Sequence, residues 1–323
     1  MIKFIFSILT ALSVFSAPPT AASGADLASL KAQYVRPDVR VSSPPGPLEK
    51  QKISLGKSLF FDPQLSGNNA LSCASCHDPK ASWQDSRGRS IGATGQKLSR
   101  TTPTIMDAGW RNIFMWDGRF LSLEKQVWGP ITSPVEMNQG AEDLVTELQA
   151  SPDYQQKFGQ AFPRQGISLD TIASALAAFE RTVRSPVTPF DRWVAGDHDA
   201  ISPAAVRGFQ LFNGKANCKA CHGGWMFTDN QFHDIGLPGD DLGRGAFEPN
   251  EPQMQRAFKT PTLRNIAVRA PYMHDGSKKT LADVLRHYED GIILRTSLSD
   301  QIMAPRLSAP QTADLIAFLN ALN

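Results

Sequence analysis

The sequence has no excess of charge of either sign and no long hydrophobic run. Lys and Arg total 33 against 31 for Asp and Glu, so no strong electrostatic field favours nucleic acid as a partner. No stretch approaches the roughly 18 consecutive apolar residues expected of a membrane-spanning helix. With 41% hydrophobic and 20% charged residues, the composition is that of a globular protein long enough for two domains.

The N-terminus has the order of a secretory signal peptide. Lys3 precedes a short apolar run over residues 4–15, and small residues follow through Ala25. This order predicts cleavage near Ala22 or Ala25; an uncleaved N-terminal anchor is the alternative. We therefore expect an exported protein with no membrane span after cleavage, which in a Gram-negative cell means the periplasm.

Cysteine is scarce, and all four residues fall in two C-x-x-C-H motifs. The motifs are Cys73-Ala-Ser-Cys76-His77 and Cys218-Lys-Ala-Cys221-His222. This is the attachment signature of c-type haem, because two cysteines on one side of a helical turn can form thioethers and the following His can bind the iron. A zinc half-site would need a second ligand pair, and a redox dithiol has no need of the His. The sequence therefore predicts two c-type haems.

A weak internal repeat assigns one haem to each half of the chain. Leu-Gly-Lys-Ser-Leu-Phe at 55–60 precedes the first motif, and Arg-Gly-Phe-Gln-Leu-Phe at 207–212 precedes the second. The proline-containing stretch 185–190 is a reasonable boundary. The predicted organisation is a signal peptide over 1–25, an N-terminal haem domain over 26–185 and a C-terminal haem domain over 186–323.

The spacing of apolar residues predicts a mainly α fold. Residues repeat at three- and four-residue intervals over 141–150, 169–184, 281–288 and 311–322. Ser202 and Pro203 resemble an N-cap and a first helical residue. Strand-like alternation is scarce, and 24 Gly and 23 Pro predict long irregular loops around two cytochrome c-like domains.

The distribution of histidine bears on the iron coordination. Between His77 and His198 the chain has no other His. The first haem is therefore expected to be five-coordinate or water-bound, with its iron open to a small oxidant. An electron-transfer cytochrome fills both axial positions, so this pattern favours catalysis.

Several segments carry a resemblance to a known family. They are Met-Trp-Asp-Gly-Arg at 115–119, Leu-Glu-Lys-Gln at 123–126, Gly-Pro-Ile-Thr-Ser-Pro-Val-Glu-Met at 129–137, Lys-Thr-Pro-Thr-Leu-Arg-Asn at 259–265 and Ala-Pro-Tyr-Met-His-Asp-Gly at 270–276. With the two haem motifs, they resemble the bacterial dihaem cytochrome c peroxidase and MauG superfamily from about residue 55 to the C-terminus.

The resemblance implies roles for four residues near the first haem. Glu136 would be the distal acid that moves a proton between the peroxide oxygens, as a pocket carboxylate can. Gln126 and Pro130 would line the same pocket, and Trp116 would relay electrons between the haems. The alternatives are a solvated or helix-capping carboxylate for Glu136 and core packing for Trp116 and Gln126.

Two departures from the ordinary peroxidase point to the MauG-like branch. In the peroxidases a loop His ligates the resting first haem, but the corresponding stretch 90–97 has no His. Their second haem is ligated by a Met fourteen residues after the histidine matching His274; here that position is Tyr288, as in MauG-like proteins. A phenolate stabilises the higher oxidation states of iron. A core tyrosine, or ligation by His287 or Met273, is the alternative.

Two further features of the family are altered. MauG-like proteins oxidise a protein substrate through an exposed Trp two residues before the second motif, where this chain has Ala216, so Trp225 and Trp193 become the candidates. The family also holds Ca²⁺ between the haems. Thr101 replaces the Asn ligand, and the carbonyl ligands would come from Arg269 and Pro271.

The resemblance therefore implies a MauG-like dihaem peroxidase. Hydrogen peroxide would react at the N-terminal haem of His77, and a high-valent dihaem state would oxidise an external donor such as a partner-protein side chain. One alternative is a cytochrome c peroxidase that takes electrons from a small cytochrome or cupredoxin and makes water. The other is a dihaem electron carrier without chemistry of its own. A homodimer is left open.

Overall fold

A computed structural model of the chain describes residues 24–37 and 46–323. The predicted signal peptide lies outside the described residues up to position 23. The helices are α1 (Gly24–Ala32), α2 (Pro47–Phe60), α3 (Leu123–Gln126), α4 (Trp128–Thr132), α5 (Ala141–Ala150), α6 (Pro152–Ala161), α7 (Leu169–Glu180), α8 (Pro189–Val194), α9 (Pro203–Asn213), α10 (Lys219–His222), α11 (Leu281–Asp290) and α12 (Ala309–Asn320).

Strand structure is limited to one short antiparallel pair in the described residues. Strand β1 (Phe232–His233) pairs with β2 (Phe258–Lys259). The remaining connections are irregular segments with short 3₁₀ turns. The predicted mainly α fold with long loops is confirmed. No helix among residues 24–37 and 46–323 combines the length and apolar character needed to cross a membrane.

The first hydrophobic core is built by helices α2, α5, α6 and α7. The axes of α2 and α7 approach closely because Gly56 has no side chain; a Cβ there would collide with the carbonyl oxygen of Ala175. Leu59, Phe60 and Phe158 are fully buried in this core. Burial of each such side chain contributes about 1.5–3 kcal/mol relative to exposure.

The second core is built mainly by α9 and α12, with α8 and α11 against them. Gly208 acts in α9 as Gly56 does in α2, since a Cβ at Gly208 would collide with the carbonyl oxygen of Asp314. The repeat Leu-Gly in 55–60 and Arg-Gly in 207–212 therefore has one physical cause: in each half a glycine lets the helix before the haem motif lie against a later helix. Tyr34, from the segment after α1, packs in this second core.

The predicted helices are confirmed, with shifts at their ends. Helix α5 has the predicted bounds, but α7 ends at Glu180, where the next amides, of Thr182 and Val183, donate to carbonyls three residues back instead of four. Helix α11 runs two residues further than predicted, to Asp290, and Gly291 follows it. Helix α12 begins two residues early, with a proline in its first turn.

The cap predicted for α9 is confirmed as well. The hydroxyl of Ser202 accepts a hydrogen bond from the amide of Ala205 at 3.2 Å, and Pro203 is the first residue of the helix. Satisfying this free amide is the stabilising role of an N-cap serine.

Polar contacts join the two halves. The Arg100 guanidinium pairs with Asp241 at 2.7 Å, and the amide of Lys259 donates to the carbonyl of Trp116 at 2.8 Å. These contacts place the loops that follow the first haem motif against the loops that follow the second. The predicted boundary near residue 185 stays a prediction.

Candidate functional site

Both haem motifs open onto the same cavity of about 910 Å³. Its wall contains the cysteines and the histidine of each motif. The wall is mostly apolar, as expected for a site that holds a large organic cofactor. The structure therefore brings together the two motifs that lie far apart in the sequence.

The first motif is held by local hydrogen bonds. Cys73 opens a 3₁₀ turn, and the hydroxyl of Ser75 accepts a hydrogen bond from the amide of Ser72 at 3.0 Å. The Nδ1 atom of His77 donates to the carbonyl of Trp83 at 3.1 Å. Because Nδ1 carries the proton, Nε2 keeps its lone pair for a metal ion.

The second motif repeats this arrangement. Helix α10 carries His222, whose Nδ1 donates to the carbonyl of Phe227 at 2.9 Å. Trp83 and Phe227 both have positive φ, 60° and 53°, and their carbonyls accept from the two histidines. Fixing the tautomer through such a partner is what orients a metal-ligating histidine.

The chemical state of the motif residues fits two covalently attached haems. All four cysteines are free of disulfides, so their sulfur atoms are available for thioethers. Burial lowers the pKa of His77 and of His222, which keeps both imidazoles neutral as iron ligation requires.

Part of the second motif could instead contribute to a metal-ion site. Ligand atoms of Cys221, Asp229 and His233 lie within 4.8 Å of one another. That set includes a cysteine of the motif and omits its histidine, whereas the histidines of both motifs share one geometry. The shared geometry favours haem.

The predicted peroxide-pocket residues line the same cavity as the first motif. Glu136, Gln126 and Pro130 all contribute to its wall. Burial raises the pKa of the Glu136 carboxyl, while the charge of Arg119 and a hydrogen bond with Ser133 act against that rise. A carboxyl whose pKa lies above its ordinary range can both take and return a proton.

Trp116 is positioned at the junction of the two halves. Its indole Nε1 donates to the carbonyl of Thr101 at 2.8 Å, and its ring centroid lies 6.4 Å from that of His274. His274 in turn stacks on Phe258 at 3.6 Å. The indole lines the cavity, so the structure places Trp116 where both halves contribute.

Helix α11 presents Tyr288 to the cavity at the end near the second motif. The tyrosine lines the cavity wall, together with Leu281 and Leu285. Burial, followed by the nearby sulfur atoms of the second motif, raises the pKa of its phenol. The adjacent His287 points elsewhere, with Nε2 donating to the carbonyl of Ile235 at 2.8 Å. Of these two neighbours, only Tyr288 faces the cavity.

The three residues of the predicted calcium site also line this cavity. The Thr101 hydroxyl donates to the carbonyl of Met273 at 3.0 Å, and the Thr101 carbonyl accepts from Trp116. The calcium site formed with Arg269 and Pro271 stays a prediction.

The structure separates the two candidate exit tryptophans. Trp193 is buried in the second core, with 3% of its surface exposed. Trp225 packs edge-to-face against Trp110 with ring centroids 5.3 Å apart, and Trp110 is 42% exposed. Sequence reasoning missed Trp110, which only the folded structure brings beside Trp225.

Sequence reasoning also missed charged residues on the cavity wall. Glu180, Arg111 and Lys259 line the cavity with the motif residues, and burial raises the pKa of Glu180 to about 8. Lys259 opens one of the segments that carry the family resemblance, but no spacing rule signals that its side chain is buried.

The fold and the shared orientation of the two motif histidines define a dihaem c-type cytochrome. Residues 50–199 match the family model for di-haem cytochrome c peroxidase, and residues 205–323 match that for cytochrome c. The chain belongs to the dihaem cytochrome c peroxidase family and is an oxidoreductase that acts on peroxide.

Relatives support this assignment along most of the chain. The methylamine utilization protein MauG of Methylophilus methylotrophus is 47% identical over 90% of this chain and 88% of its own length. The cytochrome c551 peroxidase of Pseudomonas aeruginosa is 32% identical, covering 86% and 80%. A solved MauG-like protein associated with microbial copper homeostasis is 33% identical, with a TM-score of 0.79 over 90% of this chain and 93% of that chain.

Proposed function

We propose that this protein is an exported, MauG-like dihaem peroxidase. His77 would hold the haem at which hydrogen peroxide reacts, and the reaction would oxidise an external donor, a side chain of a partner protein. The observation that carries the proposal is that Glu136 and Tyr288 line one cavity, Glu136 near Cys76 of the first motif and Tyr288 near the cysteines of the second.

The residues that would hold the cofactors are those of the two motifs. Cys73, Cys76, Cys218 and Cys221 would form the thioethers, and His77 and His222 would ligate the irons. Bound haem supplies an iron centre that accepts oxidising equivalents from peroxide. The polypeptide supplies the attachment, the proton transfer and the second ligand.

Glu136 is the proton-transfer group in this proposal. Cleavage of the O–O bond requires that one oxygen lose a proton and that the other gain one. The buried Glu136 carboxyl can perform both transfers, because its raised pKa brings the two protonation states closer in free energy at neutral pH. Gln126 and Pro130 shape the pocket around it.

Tyr288 is the proposed second ligand at the haem of His222. A phenolate is a hard, anionic ligand, and it stabilises oxidised iron relative to the ferrous state. Its position on the cavity wall, with His287 directed to the carbonyl of Ile235, favours it over the neighbouring imidazole. Trp116, at the junction of the halves, would relay electrons between the two ends.

The relative identities favour the MauG-like branch. The MauG of Methylophilus methylotrophus is 47% identical, compared with 32% for the cytochrome c551 peroxidase of Pseudomonas aeruginosa. The N-terminal order of charge, apolar run and small residues supports export to the periplasm.

The test is a reaction with one equivalent of hydrogen peroxide, with and without a reduced small cytochrome. A MauG-like enzyme should give a long-lived change in the haem absorbance and turn over slowly with the cytochrome. Brisk steady-state oxidation of the cytochrome would instead establish the cytochrome c peroxidase reading. A protein whose haem absorbance does not respond to peroxide would support the alternative of a dihaem electron carrier.

A further inference from the structure

Three cationic side chains on the cavity wall form no salt bridge with the residues that the structure describes. Arg111, Lys259 and Arg269 all line the cavity, and among the described residues no carboxylate lies within salt-bridge distance of any of them. Lys259 and Arg269 are 8% and 6% exposed. The hydrogen bond of the Lys259 Nζ atom that the described residues provide is to the carbonyl of Thr260, 3.4 Å away.

Other buried cations of this chain do have partners. Arg264 forms two hydrogen bonds with the carboxylate of Asp191, each 2.8 Å long. Arg100 pairs with both Asp117 and Asp241. An unpaired buried charge is far more costly than a paired one, so the missing partner of the first three cations requires an explanation.

The three cations form one cluster, defined as Arg111, Lys259 and Arg269. Burial, together with the charge of Arg111, lowers the pKa of Lys259 to about 7, and the charge of Arg111 acts on Arg269 as well. The Nε atoms of Arg111 and Arg269 are buried without a hydrogen-bond partner. Other nitrogens of the cluster donate to backbone carbonyls, those of Thr104, Met106, Thr262 and Thr260. Positive charge therefore converges on the cavity with no carboxylate of the described residues in a salt bridge to it.

The ligand of such a cluster is an anion with several acceptor oxygens. Haem has two propionate carboxylates on the edge opposite its vinyl groups, and thioethers at the vinyl groups of each haem would hold those propionates inside this cavity. We propose that the cationic cluster binds the haem propionates. Arg111 comes from the N-terminal half, and Lys259 and Arg269 come from the C-terminal half, so both halves contribute to the cluster.

The sign of the effect on haem reduction follows from charge. A nearby cation disfavours the additional positive charge of ferric iron and so raises the midpoint potential. Loss of the Lys259 charge should shift the midpoint potential of the haems to more negative values. The ferric-to-ferrous ratio at a fixed applied potential should rise by about threefold to tenfold, where tenfold corresponds to about 59 mV for one electron.

The test is a redox titration of the haem-loaded Lys259→Gln variant, together with the propionate bands of its resonance Raman spectrum. Lys259→Arg restores the charge and should return both readouts toward those of the unmodified protein. Lys80→Gln, at an exposed position near the first motif, removes the same charge where solvent screens it and should change neither. These readouts involve no peroxide, so they are independent of the proposed function.

Two results would overturn the proposal. One is a Lys259→Gln protein with the potentials and propionate bands of Lys80→Gln. The other is potentials that depend on added phosphate, which would identify a free anion as the ligand. If Lys259→Gln does not accumulate with haem, a crystal structure of the unmodified holoprotein decides: propionate oxygens within about 4 Å of Lys259 Nζ support the proposal, and longer separations refute it.

Discussion

Replacing Glu136 with glutamine tests the proposed proton transfer. Glutamine has nearly the same size and can keep a hydrogen bond with Ser133, but it cannot take up or release a proton. General acid–base catalysis contributes about 10²–10⁴-fold, which corresponds to about 2.7–5.5 kcal/mol of activation free energy. We therefore expect Glu136→Gln to slow the reaction with hydrogen peroxide by at least about 100-fold.

The pH dependence gives a second signature of the same residue. The ionised Glu136 carboxylate takes the first proton from peroxide, so the rate should fall as the pH falls through the pKa of that group. Burial places this pKa above the ordinary glutamate value, so the fall should begin at a higher pH than for an exposed glutamate. Glu136→Gln should lose this dependence.

Stopped-flow absorbance at the haem bands measures both quantities after mixing with peroxide. The matched control is Glu142→Gln, an exposed position in the first turn of α5, which should react like the unmodified protein. Haem content and resting spectra should be the same in all three proteins. A Glu136→Gln rate within about threefold of the unmodified protein, or an unchanged pH profile, would remove Glu136 from the mechanism.

Three further perturbations address the second haem and the stability of the fold. Tyr288→His should leave both haems attached but raise the midpoint potential of the second, because a neutral ring replaces an anionic ligand; an unchanged potential would reject Tyr288 as a ligand. Asp191→Asn should lower the free energy of unfolding by about 3–5 kcal/mol, because it leaves the buried Arg264 without its carboxylate partner. The control is Asp197→Asn, which removes an exposed ion pair and should lower the free energy of unfolding by less than about 1 kcal/mol in a denaturant titration. Burial raises the pKa of Glu180 to about 8, so the folded protein keeps a proton that the unfolded chain has lost. The free energy of unfolding should therefore fall as the pH rises from about 4.3 to about 8, and this slope should flatten in Glu180→Gln; equal slopes would count against a protonated Glu180.

The local features of the fold were predictable because they depend on neighbours in the sequence. Apolar spacing predicts a helix from its own residues, and the bounds of α5 agree with the prediction. The end of α7 does not agree: the helix stops at Glu180, and the Val183 carbonyl just beyond it accepts a hydrogen bond from the amide of Asp107, a residue far away in the sequence. The two glycines of the repeat were visible in the sequence, but their role is to admit backbone from another helix, which no local pattern specifies.

Whether a site residue could be predicted also depends on whether its signal lies in neighbouring residues of the sequence. Cys73, Cys76 and His77 are adjacent in sequence, and their chemistry requires that adjacency, so the motif alone predicts the haem. Tyr288 was predicted from the position that the second-haem ligand has in the family, not from a local sequence pattern. Arg111 and Lys259 could not be predicted, because a lysine or an arginine is ordinarily solvated and only the assembled cavity shows that these two are not.

The charged groups on the cavity wall that form no ion pair within the polypeptide indicate how the cofactor would be oriented. Carboxylates pair with Arg264 and Arg100, whereas Arg111 and Lys259 line the cavity and hydrogen-bond only to backbone carbonyls among the described residues. Burial disfavours the phenolate form of Tyr288, and a ferric iron supplies the positive charge that would offset this cost. Cations that face propionates and an anionic oxygen that faces iron are complementary requirements. Haems bound in the proposed orientation would meet both, so in this proposal the charges of the cavity wall orient the haems as well as bind them.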